Sequence, residues 1–324
     1  MANTTKDRVR PVRLLGPQDE QPSVAVALEA LDVSGSVALV SAGWQERADE
    51  DENGPLGPRM HGRARHLGLY TRAEEVFRED PEVRTVLYER YDRLRELQGL
   101  YRLRLEGQLE ACRKLLGACD PADPGSLYEP AIADAIRGVQ HLDAHHLGRA
   151  TELDKEIGER INVHGRPSLA RHLDELRAEL EGCEALLIAG GHVAILLNRL
   201  CLFDVLGLAP KQPIVAWSGG AMVLSERIVL FHDSPPQGAG DAEVLAPGIG
   251  LVRGLVPLPH ASKRLRLDDP ARVALFARRF APDLAVCLDG GESLEGTAGS
   301  DVWNISDDAR VLQVGGGVGQ ELPV

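Results

Sequence analysis

Cysteine is scarce in this chain and shows no pairing pattern: five residues, at positions 112, 119, 183, 201 and 287, with no C-x-x-C among them. An odd number without that spacing argues against a disulfide framework and for reduced thiols. Positive charge is in deficit, with 36 Lys and Arg against 49 Asp and Glu and a formal charge of −13. Nucleic acid and anionic membranes require a basic face, so neither is expected as a partner. No run approaches the roughly 18 apolar residues that cross a bilayer. The N-terminal MANTTKDRVRPVRLLGPQDEQ carries basic residues with no apolar signal segment after them. These absences predict a soluble, cytoplasmic protein. At 324 residues and 44% hydrophobic content, it is large enough for one or two ordinary domains.

Three blocks follow one another. Residues 10–45 read as strand, helix, strand: VRLL, then the apolar PSVAVALEAL, then GSVALVSAG. The charged, Gly- and Pro-rich 46–66 reads as an exposed loop. Between about 70 and 182 the pattern is helical. Apolar residues recur in steps of three or four at Leu87, Tyr91, Leu94, Leu97, Tyr101, Leu105, Leu109, Cys112 and Leu116, one stripe of a long amphipathic helix. DPADPG (120–125) and the HGRP turn separate it from two further helical stretches.

The third block, 183–324, alternates again. CEALLIAGG, QPIVAWSGG, GIGLVRGLVPLPH and DLAVCLDGG read as strands. HVAILLNRLCLFDVLG, GGAMVLSERIVL and DPARVALFARRF read as helices, and VWNISDDARVLQV as a closing hairpin across Ser306–Ala309. Continuous apolar strands joined through helices predict an α/β fold, a mostly parallel sheet covered on both faces. Ligands in such sheets bind beyond the carboxyl ends of the strands. The segments Gly190–Gly191, Ser218–Gly220 and Pro259–His260 all fall at such ends.

In IVAWSGGAM, a buried strand runs into Ser218 and then turns into a helix, the pattern of a nucleophile elbow. Gly219 and Gly220 supply the small neighbours a strained turn needs. The N–H of Gly219 is a candidate oxyanion donor, with a second from Gly190 or Gly191. The alternative is a plain strand–turn–helix junction with the serine as N-cap. Lys263, Arg264 and Arg266 form a basic patch in an acidic protein. With His192 they are candidate substrate-binding residues for an acidic side chain or terminal carboxylate, or else a solvated face. His141 and His145 stand four apart on a helix but lack a third ligand, and GGGVG (315–319) has no following helix. Neither a metal nor a cofactor is expected.

The ordered segments resemble the peptidase E and cyanophycinase group, serine peptidases on a class I glutamine amidotransferase-like, flavodoxin-like fold. LLIAGGH resembles that group's glycine-rich oxyanion strand end, IVAWSGGAM its G-[WT]-S-A-G-A turn, and FHDSP (231–235) its Asn-Asp-x-Pro segment. PHASKRLRL (259–267) resembles the histidine segment H-F-S-Q-R-G-R-L. LAVCLDGGESL lies at the family's late strand end. The resemblance covers about 10–45 and 183–315. It implies Ser218 as nucleophile, His260 as general base and Asp233 as the orienting acid, with Asp289 or Glu292 as alternative acids. It also implies cleavage of a small peptide or isopeptide bond through an acyl-enzyme. Ala216 and Gly219 at the elbow, Gly290 where the family has a glutamate, and Ala261 after His260 depart from the family pattern, so a non-catalytic relative that binds a ligand or partner is the alternative. The expected organisation is an α/β domain from 1–66 and 183–324, with 67–182 inserted as a helical lid or a dimerisation arm. One helix cannot bury the apolar stripe alone, and an arm would give a homodimer.

Overall fold

Short apolar runs bounded by glycine, proline or charge become short strands here, and the long three-four repeats become long helices. The computed structural model describes residues 10–19, 22–47, 62–119, 127–233 and 240–320. The first elements are β1 (Pro11–Leu15), α1 (Val24–Glu29), β2 (Val37–Val40), a 3₁₀ segment over Ala42–Arg47, and β3 (Ala64–His66). The helices α2 (Leu69–Glu79), α3 (Pro81–Ala118), α4 (Tyr128–Ile161) and α5 (Pro167–Glu181) follow. Then come β4 (Ala185–Ile188), α6 (Val193–Leu202), α7 (Val205–Leu208), β5 (Ile214–Trp217), α8 (Gly219–Leu224), β6 (Arg227–Leu230) and β7 (Glu243–Pro247). The chain continues through β8 (Leu255–Pro259), α9 (Ala261–Arg264), α10 (Pro270–Phe280), β9 (Leu284–Leu288) and β10 (Ser293–Thr297), and ends with β11 (Asn304–Ile305), β12 (Arg310–Leu312) and β13 (Val318–Gly319).

Seven strands form the main sheet in the order β11-β10-β1-β5-β4-β2-β3. The five strands from β1 to β3 run parallel, with Ile214 flanked by Val12 and Leu186. β10 lies antiparallel to β1, and β11 antiparallel to β10. Alternate residues enter different cores: Leu186 and Ile188 pack on one face, Leu187 and Val215 on the other. That two-sided burial is why these strands read as continuous apolar runs. A second sheet, β13-β12-β9-β8, pairs β8 with β9 in parallel, and β6 with β7 makes a separate antiparallel pair. The fold is α/β, with a mixed main sheet of mostly parallel strands and helices flanking it. No helix among the described residues is long and apolar enough to cross a membrane.

Three local expectations change. Within 46–66, expected as an exposed loop, Ala64–His66 instead pairs in parallel with β2, and residues 48–61 lie outside the described residues. The helix expected to run through GGAMVLSERIVL stops at Leu224, where the Ser225 hydroxyl donates to Met222 O at 2.6 Å; the β-branched Ile228–Val229 then pairs in β6. The hairpin across Ser306–Ala309 is not formed. Its turn closes, Ala309 N to Ser306 O at 2.9 Å, but Ile305 pairs with Leu294 of the main sheet and Val311 with Val286 of the second.

Asp80 caps α3 through Val83 N at 3.3 Å, and Pro81 occupies its first turn. Tyr101, Leu105, Leu109 and Cys112 of the anticipated stripe are buried, whereas Tyr91 faces outward. α3 packs along α4, and both meet α10. Leu105, Leu109, Ile132 and Val139 share one continuous apolar core with Val244 and Phe280. Residues 120–126, including the whole of the expected DPADPG break, lie outside the described residues.

Candidate active site

All four residues of β5 are buried, and the strand delivers Ser218 at φ +51°, ψ −122°. A non-glycine residue there is strained, by roughly 1–3 kcal/mol, and such outliers concentrate at functional sites. The glycines make the turn possible. A Cβ on Gly220 would stand 2.2 Å from Ile188 O, and one on Gly219 3.0 Å from Gly191 O. Ser218 occupies the N-cap position of α8, yet its hydroxyl makes no capping hydrogen bond. Its carbonyl accepts from Ala221 N at 3.1 Å, so the backbone closes the turn and leaves the hydroxyl free for other work.

That hydroxyl borders a cleft of about 410 Å³ whose walls include Trp44, Gly190, Gly191, Gly219, His260 and Arg264. Gly191 takes φ +103°, where a Cβ would strike Gly43 O at 2.4 Å; the neighbouring His192 N donates to Gly43 O at 2.7 Å. Among the described residues the N–H groups of Gly191 and Gly219 have no acceptor, so both are available to a developing anion in the cleft.

His260 ends β8 at φ +58°, ψ +34°, with its N–H donating to Leu288 O at 3.0 Å. Burial holds its imidazole below the ordinary histidine range; Arg264 and Lys263 push the same way, and Asp19 and Asp289 oppose them. A neutral imidazole beside a serine is the protonation state a general base requires. Ser218 and His260 share the cleft without a hydrogen bond between them.

The structure does not bring the expected acid to this pair. The carboxylate of Asp233, 8% exposed, is taken by the Arg272 guanidinium, with Nε at 3.1 Å, and by Arg266 N at 2.8 Å. Asp289 accepts from Ser262 and Arg310. Glu292 is buried and accepts from Asp289 N at 3.0 Å and from Gly290 N, shaping the turn after β9. Among the described residues no carboxylate hydrogen-bonds the His260 ring.

The basic patch divides. Arg264 lines the cleft, has no carboxylate partner among the described residues, and is held below the usual arginine range by burial. Arg266 instead pairs with Asp269 at 2.6 Å. Lys263 is exposed and absent from the cleft wall. His192 caps α6 through Nδ1, which accepts from Ile195 N at 3.4 Å. His141 and His145 are exposed, and no group of three or more candidate ligands among the described residues could hold a metal.

Cleft residues that escape the sequence reading include Gln18, Asp19 and Trp44. They lie on the loops after β1 and β2, at the carboxyl ends where parallel sheets bind ligands, and that rule is the signal that could have found them. Gln18 is buried, and its Oε1 accepts from Ser23 N at 2.7 Å and Val24 N at 3.1 Å, fixing the loop that carries Asp19. No described residue of 67–182 lines the cleft.

No protein-family profile matches the chain, and no curated protein matches it. Among solved structures it is similar to a peptidase from an acI-B1 Actinobacterium, at 12% sequence identity and a TM-score of 0.44, over 94% of this chain and 91% of that one. At that level of likeness the activity has to be argued from the site.

Proposed function

We propose that the chain is a serine hydrolase resembling peptidase E and cyanophycinase, which opens a small peptide or isopeptide bond through an acyl-enzyme on Ser218. The observation that carries this reading is the strained Ser218, whose uncapped hydroxyl shares one cleft with His260 and with the free amides of Gly191 and Gly219. His260 takes the Ser218 proton as the hydroxyl attacks the carbonyl carbon, and the two amides receive the oxyanion. His260 then returns the proton to the leaving amine, and water repeats the sequence in reverse. Arg264 is the cleft's cation for a substrate carboxylate.

A second reading, a non-catalytic relative that binds its ligand in the same cleft, is favoured by one specific observation: no carboxylate among the described residues hydrogen-bonds the His260 ring. Intact-mass labelling with a fluorophosphonate separates the two. A single adduct on the wild type, lost in Ser218→Ala and His260→Ala, is the expected result. A folded wild type that takes no adduct would favour the binding protein.

A further inference from the structure

His260 holds a left-handed backbone conformation that a residue with a Cβ rarely adopts, at the N-cap of α9. An N-cap residue ordinarily spends its side chain on the amide two or three residues ahead. His260 does not: its ring makes no capping bond. The amide in question, Ser262 N, donates instead to Asp289 Oδ1 at 2.7 Å, reaching across from the end of β9. The Ser262 hydroxyl donates to Asp289 Oδ2 at 2.8 Å. Arg310, placed by the pairing of its own residue with Cys287, donates to that same Oδ2 at 2.8 Å and to Ser262 Oγ at 2.6 Å. The base of the clamp is fixed as well, since Asp289 N donates to Glu292 and His260 N to Leu288 O, the residue before Asp289.

We propose that Asp289 is the positioning residue for His260: it supplies from β9 the N-cap that the His260 side chain leaves open, and so holds the imidazole in the cleft beside Ser218. Asp289 acts through the backbone of α9, with Arg310 neutralising its charge, and not as a carboxylate on the ring. The catalytic consequence rests on the reading of Ser218 and His260 as nucleophile and base; the conformational one does not.

The test uses the full chain as wild type, Asp289→Ala, Asp289→Asn and Arg310→Gln, with fluorophosphonate labelling rates and a crystal structure of Asp289→Ala. Removing the acceptor should slow labelling about 100-fold, the scale of a small misplacement of a catalytic group. Asparagine keeps an oxygen for Ser262 N and should restore the rate to within about tenfold of wild type, as Asn and Asp cap helices comparably. In the crystal, His260 should leave the left-handed region. Wild-type labelling of Asp289→Ala, or Asp289→Asn as slow as alanine, overturns the proposal while leaving the hydrolase reading intact. Should the wild type not label at all, the hydrolase reading fails, and the His260 conformation in Asp289→Ala decides the proposal alone. If the alanine variant does not fold, Arg310→Gln takes its place: a several-fold slowing supports the clamp, and an unchanged rate overturns it.

Discussion

A Cβ built on Gly190 stands 2.7 Å from Ser218 Cβ and 3.1 Å from Gly219 N. β4 and β5 are neighbours in the sheet, so their strand ends meet where the nucleophile turn begins. Gly190→Ala must therefore push the elbow or its amide aside. Labelling of Ser218 should fall about 100-fold, with a stability loss of roughly 1–3 kcal/mol from overpacking. Labelling rate and urea denaturation check both; an unchanged rate would mean the turn has room to yield.

Burial, then Arg264 and Lys263, hold His260 below its ordinary range against the opposing fields of Asp19 and Asp289. The neutral imidazole is the base, so reactivity of Ser218 should rise with pH, with a midpoint below about 6.5. Arg264→Gln removes the larger positive neighbour and should move that midpoint upward. A wild-type midpoint above the ordinary value, or a downward move in the variant, contradicts this account.

Asp233 and Arg272 form a mostly buried ion pair that also ties Arg266 N to the chain before residues 234–239. Asp233→Asn should destabilise by about 1–3 kcal/mol, because it leaves the Arg272 charge poorly paired. Labelling of Ser218 should fall by less than about tenfold, against the roughly 10⁴ lost when a triad aspartate becomes asparagine. A loss on the larger scale, in folded protein, would return Asp233 to the role of acid.

Arg279 and Asp143 are almost wholly enclosed, with side chains 2% and 3% exposed, and Tyr101 Oη sits between them, donating to Asp143 at 2.8 Å and accepting from Arg279 at 2.7 Å. This network joins α3 and α4 to α10. Asp143→Ala strands the guanidinium and should cost about 3–5 kcal/mol, while replacing both charges with leucine and methionine should cost much less. Denaturation midpoints for the single and double variants decide it.

His146 and His172 are buried, and burial lowers the proton affinity of each in the folded state, as it does for His260. Below about pH 6.5 the unfolded chain therefore binds more protons than the folded one. Stability present above that pH is lost as the pH falls through it toward the folded values. Melting temperature should drop between pH 7.5 and 5.5; a rise would contradict the assignment.

Much of the fold was legible because the central strands β2, β4, β5 and β8 are buried along their whole length and each long helix carries a repeating stripe. LLIAGG, IVAWSGG and DLAVCLDGG became β4, β5 and β9 at the expected places. SERIVL misled because a short apolar run serves a helix or a strand equally well until its partner is known, and the partner, β7, lies beyond residues 234–239. Arg264 was visible within its basic patch, and only the cleft wall distinguishes it from Lys263 and Arg266.

By itself the sequence determined the α/β class, the helical segment and the serine turn. Those depend on local periodicity and on glycines whose necessity is set by backbone sterics. Tertiary structure decided which carboxylate meets which cation. Asp233 went to Arg272, Asp289 to Ser262 and Arg310, and Glu292 to backbone amides, while Asp19 came to the cleft from the far end of the chain. A carboxylate's partner is chosen by the few ångströms over which hydrogen bonds act, and residue spacing along the chain does not encode that distance.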